Sequence, residues 1–152
     1  MTIILLTVLV AVTLSLLFYR WIHHYRYIFY GLIALLAFAL GGEEANVISL
    51  GYVALGIFLV VMFTGVLNQG EVKKRLTLVR AELSVIASLF LLPHALAFSE
   101  YLLEDVGLLN GTLSYYLGIL AFIVMVPLTL TSFIVIRKKI GGRRWKSLHR
   151  FA

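Results

Sequence analysis

Five apolar stretches, joined by short polar segments, set the limits on what this chain can become. They run Thr2–Tyr19, Tyr27–Leu40, Asn46–Leu67, Ala81–Leu102 and Leu113–Ile136. A helix needs roughly 20 apolar residues to cross a bilayer core about 30 Å thick. Inside that core each backbone N–H and C=O must find its partner within the helix. The second stretch is short. It reaches full length by starting at Trp21 and letting Arg26 extend to the headgroups. The predicted fold class is therefore all-α: a polytopic membrane helical bundle of five transmembrane helices, with residues 1–152 as one domain. Composition agrees. Only 13% of residues are charged, about half the share in a soluble domain.

Charge sorts the connecting segments. Arg20 and Arg26 follow the first stretch; Lys73, Lys74, Arg75 and Arg80 follow the third. Arg137, Lys138, Lys139, Arg143, Arg144, Lys146 and Arg150 follow the fifth. Glu43 and Glu44 follow the second, and Glu100, Glu104 and Asp105 the fourth. All 13 basic residues thus fall on one side and five of the seven acids on the other. The positive-inside rule makes the basic side cytoplasmic. The predicted topology has the N-terminus outside and the C-terminus inside, in the plasma membrane. The net charge of +6 is accounted for by topology, so no nucleic-acid partner is expected. The first stretch has no preceding basic residue and no small-residue cleavage pattern, so it is expected to be a retained span.

There is no cysteine, which excludes disulfides, thiolate metal sites and covalent heme attachment through C-x-x-C-H. No glycine-rich phosphate loop or dinucleotide fingerprint is present. A nicotinamide or flavin electron donor would sit on another polypeptide. Four histidines remain. His23 and His24, beside arginines in the first inner segment, read as interfacial polar residues. His94 differs. It lies fourteen residues beyond Arg80, about 21 Å along a helix axis, which is past the middle of the bilayer core. An ionisable side chain at that depth is a functional candidate by default. Two readings stand side by side: a neutral histidine bonded to a neighbouring helix, for which Pro93 frees a carbonyl, or an axial ligand to a b-type heme. Ala97 and Ala87, one and two turns away, would admit a flat macrocycle.

Three stretches together resemble the ferric reductase-like transmembrane domain family. "RAELSVIASLFLLPHALAF" (80–98) resembles the helix that opens on a basic residue and carries a heme-ligating histidine fourteen residues on. "VPLTLTSFIVIRKKIGGRRWKSLHRFA" (126–152) resembles the family's P-L-x-x-T-S, basic cluster and W-x-x-L-H-R. "GYVALGIFLVVMFTGVL" (51–67) fits the preceding helix less specifically. The resemblance covers roughly residues 30–152. Within the family the chain is most similar to heme-binding membrane subunits that serve periplasmic methionine-sulfoxide reductases, which suggests a bacterial membrane. The resemblance implies a b-type heme, with His94 as axial ligand and His149 as a ligand or neighbour of heme on the inner side. It implies Arg80 as a partner for the propionates, and Arg143, Arg144 and Trp145 as docking residues for a donor or anionic lipid.

One departure from the family matters. There, L-H-R begins a further helix carrying another histidine about thirteen residues on; here the sequence stops three residues after His149, at Ala152. Two axial nitrogens stand about 4 Å apart across an iron, by analogy with other metal–imidazole bonds. His94 and His149 differ in depth by about 20 Å, so they do not form a pair. The second ligand is expected from a longer chain or from a partner, a second copy included; a shortened relative that holds heme weakly or not at all is the third case. The predicted function is an electron-transfer subunit, not a complete enzyme. It would take electrons from a cytoplasmic flavin reductase or quinol and pass them to an outer-side reductase. The alternative is a membrane scaffold or assembly partner without heme. A transporter ranks below both, because no carboxylate is placed deep in a span.

Overall fold

The computed structural model describes residues 1–41, 44–101 and 113–148. Every regular element among them is a helix: α1 (Thr2–His24), α2 (Arg26–Leu40), α3 (Glu44–Thr64), α4 (Glu71–Tyr101), α5 (Leu113–Ser132), α6 (Ile134–Ile140) and α7 (Gly142–Leu148). The predicted all-α class holds. The helices α1 and α4 are each long and apolar enough to cross a bilayer, and α5 with α6 passes the same test as a bent pair. The apolar helices α2 and Ser49–Thr64 of α3 are shorter. Many large apolar side chains face outward, Leu9, Leu17 and Leu35 being 65%, 66% and 73% exposed. Such surface is unsuited to water over so wide an area and suits lipid. The chain is a membrane protein.

The chain divides into two compact units, Met1–His94 and Ala95–Ala152. In the first, α1 is two helical segments joined across a kink at Phe18 (φ −114°, ψ 18°). The kink falls one residue before the predicted end of the first span. Beyond it, the last turns of α1 return toward the core, where Ile22 is buried. Trp21 therefore belongs to α1 and does not begin the second helix. That helix starts at Arg26, after the single non-helical residue Tyr25.

The core of this unit gathers Ala11, Ile22, Ile57, Val60, Leu76, Val79, Leu83, Ile86 and Ala87. On α4 these positions recur at three- and four-residue spacing, one face of a helix. Side-chain pairings relate the helices to one another. Thr7 meets Gly56, His23 and Arg26 meet Glu82, Pro93 meets Gly41, and His94 meets Gly51. Arg26 at Glu82 and Gly41 at Pro93 set α2 parallel to α4, while Gly51 at His94 and Leu67 at Lys73 set α3 antiparallel to it.

The α1–α3 crossing is tight at Gly56. A Cβ there would lie 2.8 Å from Thr7 Cβ and 3.1 Å from the Ile4 carbonyl oxygen. Thr7 is β-branched and its hydroxyl donates to the Ile3 carbonyl at 2.8 Å, so it has little room to yield. Gly56→Ala is expected to destabilise the unit by about 1–3 kcal/mol, the usual range for overpacking. A thermal melt in detergent checks this; an unchanged melting temperature would show that the helices separate freely.

In the second unit, α5 ends at Ser132 and does not run straight through Ile136 as predicted. The axis turns by 88° into α6. The residues of the P-L-x-x-T-S motif explain the stop. Pro127 lies inside α5. The Thr131 hydroxyl donates to the Pro127 carbonyl (2.8 Å), and the Ser132 hydroxyl to the Leu128 carbonyl (2.8 Å). Back-bonding of this kind favours bending. Phe133 is extended (ψ 132°) and cannot continue the helix. Gly141, at φ 87°, ends α6 in a conformation that glycine adopts without strain. The Arg137 guanidinium stacks 5.4 Å from the Trp145 ring centroid and ties α7 to α6.

Candidate functional site

Only one histidine lies far along α4. This helix is continuous from Glu71 to Tyr101 despite Pro93, so the spacing from Arg80 to His94 holds as about 21 Å of helix rise. His94 is half-buried and its Nδ1 is buried. Its ring lies against the backbone of Gly51 in α3. A Cβ built on Gly51 would stand 3.2 Å from Cγ, 3.2 Å from Nδ1 and 3.3 Å from Cε1 of the imidazole. The preceding residue, Pro93, is buried and sits on Gly41, whose added Cβ would lie 2.9 Å from Pro93 Cβ.

Arg80, expected at the inner end of the same helix, lies one third of the way along it. The sequence Glu71–Arg80 is polar but rich in helix formers, so α4 extends ten residues before the predicted span. Arg80 is exposed. His149 and Arg150 lie outside the described residues, as do Glu43, Glu104 and Asp105. Arg143 and Arg144 are exposed on α7. An open basic groove is lined by Arg137, Lys138, Gly142 and Trp145.

A heme axial site needs an imidazole in apolar surroundings with one nitrogen free to face the metal. His94 meets the apolar part of that requirement: its ring is seated on a glycine, with the Cγ–Nδ1–Cε1 edge against Gly51. The other expected contact changes. Ala87 is fully buried in the protein core and is not open to a macrocycle, whereas Ala97 is half-buried. The described residues bring no second ligand to His94. His23 is engaged elsewhere, and His24 packs edge-on against Tyr25 at 4.6 Å. No group of three or more His, Cys, Asp or Glu among the described residues would hold a metal ion by itself.

A second polar cluster was not foreseen. Glu82, on α4, has a side chain only 3% exposed. Its Oε1 stands 2.8 Å from His23 Nδ1 and accepts from Arg26 Nη1 at 3.3 Å. Its Oε2 is buried with no hydrogen-bond partner among the described residues. Nearby, Arg75 donates to the Leu16 carbonyl at 3.2 Å and lies 5.2 Å over the Tyr19 ring. His23 is thus hydrogen-bonded to a buried carboxylate. The sequence held a signal. Glu82 falls three residues after Val79 on the buried stripe Leu76–Val79–Leu83–Ile86, where a carboxylate requires a partner.

These features define an integral membrane helical protein with an imidazole far along α4, seated on a glycine of a neighbouring helix. The chain belongs to the family described as ferric reductase like transmembrane component, whose match covers residues 50–152. That span takes in Gly51, His94, the bend after Ser132 and the W-x-x-L-H-R stretch. A Treponema pallidum (strain Nichols) protein, described only as an uncharacterized protein, is 35% identical over 106 residues. The similarity covers 63% of this chain and 28% of that protein, so the chain spans little more than a quarter of the relative. No solved structure matches.

Proposed function

We propose that the chain is a heme-binding, membrane-embedded electron-transfer component, and that it carries electrons from the cytoplasmic side to the outer side. The observation that carries this reading is His94: an imidazole deep along α4, half-buried, inside the segment that matches a ferric reductase-like family. When bound, a b-type heme supplies one-electron redox chemistry. The chain's residues ligate and orient it and keep water away. On this reading His94 is one axial ligand, and Arg80 and His149 act on the inner side. The other axial ligand of His94 comes from residues beyond those described or from a partner chain.

Five spans with the N-terminus outside complete the reading. Its support is the charge sorting along the sequence, together with the opposed directions of α3 and α4. His23, Arg26, Arg75 and Glu82 share one end of the first unit, and Gly41, Gly51, Pro93 and His94 the other. A flavin reductase or quinol is the proposed donor, and a reductase on the outer side the proposed acceptor, as in the methionine-sulfoxide reductase systems.

A scaffold without heme is the second reading, favoured by the closed packing of Ala87 and by the single imidazole that the described residues bring to the site. Absorbance separates the two. The protein purified from heme-replete cells is expected to show a Soret band that shifts on reduction with dithionite. A colourless, folded preparation would leave the scaffold.

A further inference from the structure

We infer that Gly51 is a positioning residue for His94: its missing side chain fixes where the imidazole stands and which edge of the ring faces the protein. The inference rests on the heme reading above and assigns a role on α3, a helix that carries no histidine. Three ring atoms lie 3.2–3.3 Å from where a Gly51 Cβ would be. That is closer than side chains normally approach a Cβ, so any other residue at 51 pushes the ring by a few tenths of an ångström. The contact is on the Cγ–Nδ1–Cε1 edge of the ring.

The ring cannot evade such a push by moving its helix. Pro93, directly before His94, is buried on Gly41 at the end of α2, with 2.9 Å between Pro93 Cβ and the site of a Gly41 Cβ. Two consecutive residues of α4 are therefore each seated on a glycine, one at the end of α2 and one near the start of α3. Together these contacts fix the height of the helix and the tilt of the ring. Groups that orient a metal-bound histidine from outside the coordination sphere typically change metal retention by about 10–100-fold when replaced.

Four variants of the full chain test this: Gly51→Ala, Gly41→Ala, Gly56→Ala and Gly31→Ala. Heme content per protein, the electron paramagnetic resonance spectrum of the oxidised protein and the melting temperature are read on the folded fraction. Gly51→Ala is expected to shift the low-spin resonance and to lower heme retention about tenfold or more. Gly41→Ala displaces the same turn through Pro93 and shifts the same resonance, which keeps the test alive should Gly51→Ala not accumulate. Gly56→Ala meets Thr7 and Ile4, not His94, so it lowers the melting temperature and leaves the resonance in place. Gly31→Ala meets nothing within 4 Å and changes neither. A wild-type resonance in Gly51→Ala, or an equal shift in Gly56→Ala, overturns the positioning role while the heme reading stands. A wild-type protein that binds no heme overturns both.

Discussion

Replacing His94 with alanine is expected to abolish the heme absorbance of the purified protein while leaving it folded and in the membrane. An axial imidazole holds the iron directly, so its loss is felt in full, whereas a residue around the porphyrin changes affinity by degrees. The variant should fold because His94 is only half-buried and sits beside the backbone of a glycine, not in an interlocked apolar layer. Its buried neighbours on α4, Val85, Ile86 and Ala87, are untouched. His24→Ala is the matched control. That residue is exposed and packs only on Tyr25, so its removal should leave the spectrum as it was. Equal bands in wild type and His94→Ala would end the assignment of His94 as a ligand. Equal loss in both variants would point to a general defect of folding and end it as well.

What the sequence disclosed about this site, and what it hid, divides along one line. The distance from Arg80 to His94 was legible because rise along one helix is a property of a single stretch, and α4 is continuous through Pro93. The seat under the ring was not. Gly51 lies on a different helix, and nothing in either stretch announces that the two meet. Helix limits show the same division. Apolar runs located the long helices, yet hydropathy is blind to a polar helix, so Glu71–Arg80 was missed at the start of α4. It is equally blind to direction. Phe133–Ile136 is as apolar as what precedes it, but the hydroxyls of Thr131 and Ser132 turn the chain by 88° before it. Counting charge by side said nothing of Glu82, because a count treats a carboxylate on the buried stripe like one in a loop.

That carboxylate leads to the second large effect. Substituting both partners of Glu82, as His23→Leu with Arg26→Met, is expected to destabilise the first unit by about 3–5 kcal/mol, the cost of leaving a buried charge unpaired. The loss is asymmetric. Glu82 is 3% exposed, while the side chains of Arg26 and His23 are 17% and 36% exposed. Deprived of the carboxylate, its partners reach water; deprived of its partners, the carboxylate does not. Glu82→Leu alone should therefore cost less, about 1–3 kcal/mol. Adding Glu82→Leu to the double variant should recover most of what that variant lost, since apolar replacement of a whole buried ionic group is often close to neutral. Unfolding in a denaturing detergent, followed by helicity, gives the four stabilities and the coupling between them. If the three substitutions simply add, the charges are not coupled. Glu82 would then be a hydrated surface acid, and the stitch between the end of α1, the start of α2 and α4 would have no energetic content.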